Sequence, residues 1–261
     1  MRNISLKQIA LPNLMAPKRS RLTTVLGLVL DGSRLEGLVL RRTNGYFQVQ
    51  KSFSVSLSLD PLTNDPQLVG REIRNHLDAA QIRERHCIVG LPLKWALTRQ
   101  IEVPPMPEAD IATFLQIEAE RGLPCDVQTL HLTSSRCQTA SGKPHVLMAG
   151  IPKNHLAALE QSLGSAKLKP LSFSLGITAL QPAGAAQDGG VLALAIGESQ
   201  VALQITSGGG IAALRALEGA LEPQAGQRVL DADLVAREAR ITRTEAMRSR
   251  LTAAKPASVL K

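Results

Sequence analysis

Two short glycine-bearing turns are the parts of this sequence whose residue types could hold a phosphate group. They lie within Leu28–Ser33 and Leu194–Ser199, and each ends one apolar run and begins another. A pair of such strand–turn–strand units can hold the phosphates of a nucleotide, because backbone N–H groups in a tight turn point at the anion. The candidate nucleotide-binding residues are therefore Asp31, Gly32, Ser33, Gly197 and Ser199.

No other grouping of side chains in the sequence suggests a catalytic centre or a metal site. The three cysteines, Cys87, Cys125 and Cys137, are odd in number and widely spaced, which is typical of reduced thiols in a cytosolic protein. The five histidines do not have metal-ligand spacing with them. No serine, histidine and aspartate combination indicates a nucleophile. We therefore expect no metal and no catalytic residue outside the two turns.

The charge of the chain favours an acidic partner. Its 261 residues, enough for one large or two small cores, carry a formal net charge of +8. Only 2% of the residues are aromatic, which counts against the base-stacking surfaces of single-strand nucleic-acid binders. Contact with an anionic membrane surface is the favoured use of this charge, and nucleic-acid binding, which we do not expect, is the competing one. No apolar run approaches the roughly 20 residues of a membrane span, so we expect a cytoplasmic protein.

Hydrophobic periodicity and turn residues predict a chain that mixes strands and helices. The predicted strands are Thr24–Leu30, Arg34–Arg41, Phe47–Leu59, His86–Leu91, Trp95–Val103, Gln128–Cys137, His145–Ile151, Lys169–Ser174, Val191–Ile196, Gln200–Thr206 and Ile211–Leu217. The predicted helices are Pro66–Ala80, Glu108–Arg121, Lys153–Ala166 and Ala232–Leu251, with a helical turn at Gly176–Leu180. The small and polar segment Gln181–Gly190 predicts a boundary between two lobes.

Several stretches resemble motifs of one known family, in the same order. Val25–Leu28 with the strand to Leu40 is similar to its first phosphate turn, and Val191–Gly197 to its second. Ile88–Pro92, followed by Thr98–Pro104, is similar to its V-x-x-P and T-R-x-I-E-L-P segments. Ile117–Pro124 is similar to its x-E-A-E-x-x-I-P helix end. The chain therefore resembles the PilM family, actin-like cytoplasmic proteins of the type IV pilus machine that are related to the cytoplasmic part of GspL of type II secretion.

The resemblance implies an α/β, actin-like (ribonuclease H-like) fold of two lobes with an inserted small α+β subdomain. The second lobe is expected to be shortened, since the chain ends where that lobe should be half complete. The expected parts are a basic flexible tail (1–21), a first lobe (22–96 and 146–182), an inserted subdomain (97–145) and an incomplete second lobe (190–261).

The resemblance also implies the partner. In the PilM family a groove on the first lobe receives the extended N-terminal peptide of a membrane protein, PilN. We therefore expect a non-catalytic scaffold, cytoplasmic and peripheral to the inner membrane. The basic tail would add weak contact with anionic lipid through Arg2, Lys7, Lys18, Arg19 and Arg21. The exposed strand edges of a half-size lobe favour a homo-oligomer or a covering partner.

The sequence departs from the family at the residues that would do chemistry. The aspartates of the two family turns fall on Val29 and Ala195, and neither residue offers an oxygen to Mg²⁺. This pattern predicts no cofactor and no catalysis. The alternative is a nucleotide-binding, actin-like ATPase with residual activity and bound ATP and Mg²⁺, in which Asp31 reaches the cleft because residues i and i+2 of a strand share a face. Asp31-Gly32 is also a common hairpin turn.

Overall fold

A computed structural model describes residues 23–138, 143–180, 190–224 and 227–248 of the chain. Along these residues the strands are β1 (Thr24–Asp31), β2 (Arg34–Thr43), β3 (Tyr46–Ser56), β4 (His86–Leu91), β5 (Leu97–Glu102), β6 (Leu130–Gln138), β7 (Pro144–Pro152), β8 (Lys169–Leu175), β9 (Val191–Ile196), β10 (Val201–Ser207), β11 (Gly210–Leu217), β12 (Leu221–Gln224) and β13 (Gln227–Leu230). The helices are α1 (Pro66–Ala79), α2 (Glu108–Gly122), α3 (Lys153–Ser165) and α4 (Ala232–Arg248), with short 3₁₀ turns at Leu93–Trp95, Val127–Thr129, Gly176–Leu180 and Glu218–Ala220.

The first lobe is built on a five-stranded sheet in the order β3-β2-β1-β4-β8. β1, β2 and β3 are antiparallel neighbours, whereas β4 and β8 run parallel to β1. Alternation along β1 places Leu26, Leu28 and Leu30 on one face, where each is at most 3% exposed. Val29 and Asp31 therefore belong to the opposite face, and β1 delivers Asp31 to the end of the sheet.

Helices α1 and α3 cover the buried face of this sheet. Asp65 caps α1, since its carboxylate accepts the N–H groups of Gln67 and Leu68 at 2.8 and 3.1 Å. Val69 and Leu77 of α1 pack with Leu159 and Leu163 of α3 in the main core. The other face of the sheet is open, and the exposed apolar side chains there are described below with the functional site.

The inserted subdomain has its own antiparallel sheet, in the order β5-β7-β6, and its own helix α2. Its core includes Ile101, Val146, Met148 and Ala119. All of β7 pairs within this sheet, so the boundary that we predicted at residue 145 falls inside β7, and by sheet pairing the insert extends to Pro152. The reason is that a buried central strand carries an apolar run which does not distinguish one sheet from another.

The second lobe contains an antiparallel sheet in the order β11-β10-β9, the hairpin β12–β13 and helix α4. Val201, Leu203 and Ile205 of β10 pack with Val235 of α4 in a separate core. Among the described residues β9 pairs only with β10, so β9 is an edge strand. The insert also touches this lobe, because the Ile211 N–H donates to Ser135 Oγ at 3.0 Å.

Most predicted elements match the structure within a few residues, and His86–Leu91 and Val191–Ile196 have the predicted bounds. The hairpin β12–β13 was not predicted. The tail 1–21, nearly all of the boundary segment Gln181–Gly190 and the end of the last helix lie outside the described residues. None of the helices in the described part of the chain is long and apolar enough to cross a membrane.

Candidate functional site

A cleft of about 750 Å³ separates the first lobe from the second. The ends of β1 and β9 meet across it, and the segments that follow β4 and β8 complete its wall. The charged residues that line it are Asp31, Arg34, Glu36, Glu198 and Arg228. Asp31 and Gly197, one candidate residue from each of the two glycine turns, both line this cleft.

The turn between β9 and β10 binds a carboxylate of the first lobe. The turn is closed by a hydrogen bond of 3.0 Å from Gly197 N–H to the Gln200 carbonyl. The next two N–H groups, of Glu198 and Ser199, both donate to Asp31 Oδ2, the second of them at 3.1 Å. Ser199 Oγ donates to Asp31 Oδ1. One aspartate of the first lobe thus accepts three hydrogen bonds from one turn of the second.

Positively charged side chains support this contact from both lobes. Lys94, in the 3₁₀ turn after β4, donates from Nζ to Ser199 Oγ at 3.0 Å, and its backbone N–H donates to Gln200 Oε1 at 2.9 Å. Arg228 of β13 donates to the Glu198 carbonyl. The Lys94 ammonium, the Ser199 hydroxyl and the Asp31 carboxylate therefore form a continuous chain of hydrogen bonds.

Two glycines leave the space that this contact needs. A Cβ on Gly197 would collide with Asp31 Oδ2, so only glycine lets the carboxylate reach the turn. Gly32 has a φ of +61°, in the left-handed region that favours glycine, and a Cβ there would lie 3.2 Å from Ser199 Cβ. Both glycines of the predicted turns are thus used to bring the two lobes together.

The structure brings together four of the five predicted site residues. Asp31, Gly32, Gly197 and Ser199 are in contact, whereas Ser33 is exposed and its backbone carbonyl accepts from Leu57 N–H at 2.7 Å. Sequence reasoning missed Lys94, Gln200 and Arg228. Lys94 lies 105 residues from Ser199 in sequence, and no local pattern marks a contact over that distance.

The residues present do not fit a metal-bound nucleotide. Val29 is 44% exposed and apolar, and Ala195 packs against the main core, so neither supplies a carboxylate for Mg²⁺. Asp31 already accepts the N–H groups of the second turn that would face a phosphate.

Cys87 of β4 is buried, and burial raises the pKa of its thiol to about 11, which keeps it protonated and unreactive at neutral pH.

A second surface lies on the open face of the first-lobe sheet. It is a trough of about 640 Å³ that is lined mainly by glycine, serine and apolar side chains, and Glu36 also lines it. Val29, Leu38 and Ile88 are 44%, 37% and 41% exposed there. Gly27 and Gly90 lie beside them in the strand register, and Ser52, Ser54 and Ser174 border the trough. Glycine at these positions lets another backbone approach the sheet closely.

Three features define an actin-like fold. They are the strand order of the first lobe, the partial repetition of that order by β9–β11 in the second lobe, and a cleft between two glycine turns. A chain in the solved PilM–PilN type IV pilus biogenesis complex is similar in structure, with a TM-score of 0.61 and 22% identity over 87% of this chain and 73% of that one. The cytoplasmic domain of EpsL, an inner membrane component of the type II secretion system of Vibrio cholerae, has a TM-score of 0.51 and 16% identity over 74% and 71%.

The sequence matches no protein-family model and no curated protein. The likeness to these two solved structures confirms the predicted actin-like fold, and at the level of the fold it agrees with the PilM resemblance.

Replacing Ser199 by alanine tests the contact between the lobes. We expect Ser199→Ala to lower the free energy of unfolding by about 1.5–3 kcal/mol, the range for a hydrogen bond to a charged group. Urea denaturation followed by circular dichroism measures this change. Ser33→Ala is the matched control and should change it by less than about 0.5 kcal/mol, because Ser33 is exposed. Equal losses in both variants would contradict the geometry of the site.

Proposed function

We propose that this protein is a non-catalytic cytoplasmic scaffold of an inner-membrane assembly platform of the type IV pilus or type II secretion kind. The observation that carries the proposal is the position of Asp31, which uses the second turn to join the lobes. The similar chains support the setting, because one belongs to a type IV pilus biogenesis complex and the other to an inner membrane component of type II secretion.

The non-catalytic part of the proposal follows from the charges that phosphoryl transfer requires. Such chemistry needs a metal ion and a positioned attacking oxygen, both of which are held by carboxylates or similar groups. Val29 and Ala195 occupy the two positions where the family resemblance places those acids. The alternative, an actin-like ATPase with residual activity, would require Asp31 to leave its present partners and bind Mg²⁺ instead.

Addition of Mg·ATP separates the scaffold from the residual ATPase. We expect the melting temperature of the purified protein to stay unchanged, because the donors of the second turn are already used by Asp31. A ligand at a hundred times its Kd would stabilise the protein by about 2.7 kcal/mol, so binding would raise the melting temperature by several degrees. Such a rise, or release of phosphate above the rate of a buffer blank, would support the alternative.

We propose the trough on the first-lobe sheet as the site for an extended peptide from the cytoplasmic N-terminus of a PilN-like membrane protein. Its apolar floor of Val29, Leu38 and Ile88 suits apolar side chains of the peptide. The glycines at positions 27 and 90 let the peptide backbone lie against the sheet. A partner anchored in the membrane would also explain the proposed location peripheral to the inner membrane.

A charge introduced on the apolar floor of the trough should weaken peptide binding. The probe is a fluorescent peptide that contains N-L-L-P, the short sequence that the PilM resemblance implies for the N-terminus of a PilN-type partner, and fluorescence anisotropy gives its Kd. We expect Ile88→Glu to weaken binding by at least about tenfold, which is 1.4 kcal/mol, because the charge must be desolvated against the peptide. Ile117→Glu is the matched control, since Ile117 on α2 is 43% exposed and Ile88 is 41% exposed.

Unchanged binding in Ile88→Glu, or equal losses in the two variants, would contradict the assignment of the trough.

The same peptide, anchored to vesicles of 30% anionic lipid, extends the test to the membrane. We expect the intact chain to sediment with these vesicles because it binds the peptide. It should sediment only weakly with vesicles that lack the peptide, because each engaged charge of the basic tail contributes only about 1 kcal/mol. A shift of duplex DNA that falls steeply with salt would favour the nucleic-acid reading instead.

The edge strand β9 is the surface that we propose for self-association. Leu192, Leu194 and Ile196 share the face of β9 that continues the α4 core, and they are 49%, 40% and 60% exposed. The backbone of β9 pairs with β10 on one side, and among the described residues no strand pairs with its other side. An edge strand with an apolar face is a common site for pairing with another chain. A second copy of this protein is the occupant that we propose.

Light scattering after size-exclusion chromatography tests this surface. We expect a concentration-dependent dimer for the unaltered chain and a monomer for Leu194→Lys, because lysine charges the face and the edge. Leu132→Lys is the matched control, since Leu132 on β6 is also part of an edge strand and is 39% exposed. A monomer at all concentrations of the unaltered chain would rule out self-association through β9.

A further inference from the structure

We propose that the Asp31 carboxylate takes the place of a phosphate group in the second turn and so holds the cleft closed from within. The turn from Ile196 to Gln200 is then an anion site whose occupant is part of the same chain. The inference goes beyond the scaffold function, since it concerns the cleft alone and does not depend on any partner.

The donors of this turn have the arrangement of an anion site. The N–H groups of Glu198 and Ser199 are consecutive and converge on one oxygen, Asp31 Oδ2, while the Ser199 hydroxyl donates to the other oxygen. Consecutive N–H groups in a turn form a concave site that binds anionic oxygens, whether from carboxylate or from phosphate. Lys94 adds a positive charge at Ser199 Oγ. The site therefore selects negatively charged oxygen rather than one particular group.

The hairpin between β1 and β2 is built to deliver the carboxylate. Asp31 pairs with Arg34 at the end of the β1–β2 ladder, so its position is set by the sheet. Gly32 follows with a positive φ, which forms the tight turn and leaves room for Ser199. On the other side Gly197 leaves room for Oδ2. Both turns must therefore have glycine at the point of contact.

Occupation from within excludes external anions. Asp31 is fixed at the end of the β1–β2 ladder, so its effective concentration at the turn is well above the millimolar value of a short flexible linker. Free phosphate at millimolar concentration therefore competes poorly with Asp31 in the unaltered chain. If the carboxylate is removed, the two N–H groups, Ser199 Oγ and Lys94 remain as an anion site. Glu36 and Glu198 also line the cleft, and their negative charges weaken the binding of any external anion there.

The test is to replace Asp31 by alanine and to measure binding of inorganic phosphate and of pyrophosphate. In chloride buffer of matched ionic strength, we expect the melting temperature of Asp31→Ala to be lower than that of the unaltered chain. About 5 mM pyrophosphate should then raise its melting temperature by several degrees with a saturable dose dependence. The unaltered chain should not respond to either anion. Titration calorimetry should give one site per chain in Asp31→Ala.

Absence of any response in folded Asp31→Ala, or an equal response in the unaltered chain, would overturn the proposal. If Asp31→Ala does not fold, Asp31→Asn carries the test, because its neutral amide keeps the size of the side chain but binds the turn more weakly than a carboxylate, so that a small anion can displace it. Asp31→Asn should melt lower and respond to pyrophosphate, and no response would overturn the proposal. Gly219→Ala is the control, since a Cβ at this exposed glycine of the second lobe, which also carries the anion-binding turn, meets no other atom within 4 Å. It should behave as the unaltered chain does.

Discussion

The contact between the Asp31 carboxylate and the second turn is the interaction that links the two lobes across the cleft. A carboxylate that leaves water must regain its hydrogen bonds, and Asp31 does so with two N–H groups and one hydroxyl of the opposite lobe. Each hydrogen bond to a charged group contributes about 1.5–3 kcal/mol. Whole domains are stable by only about 5–15 kcal/mol, so this contact is a substantial addition to the apolar packing between the lobes, which includes Ala202, Ile211 and Leu214 in the main core.

The contact that Asp31 forms across the cleft bears on the role of the fold. An actin-like fold that binds nucleotide can open and close with its ligand, whereas in the proposal made here a residue of the chain takes the place of the ligand's phosphate. The insert adds a further contact with the second lobe through Ser135 and Ile211. The first lobe then presents its open sheet face, with Leu38 and Ile88, in a fixed orientation. A rigid body with exposed apolar surfaces suits the scaffold role that we propose.

The sequence predicted the local parts of this structure better than its contacts. Strands such as His86–Leu91 are short apolar runs bounded by turn residues, so their bounds could be read directly. The hairpin β12–β13 was missed because its strands are four residues long and one contains Pro223. The turns were found from their glycines. That Asp31 faces Ser199 could not be found, because the two are separated by 168 positions and only the packing of two lobes brings them together.

Hydrogen exchange at the Glu198 and Ser199 amides of the unaltered protein, resolved by residue with NMR, tests the central claim most directly. If Asp31 holds the lobes together, both amides exchange slowly, at rates like those of the neighbouring sheet amides, because each must leave a charged acceptor before it meets water. Exchange of both amides at the rate of an open surface turn would contradict the account.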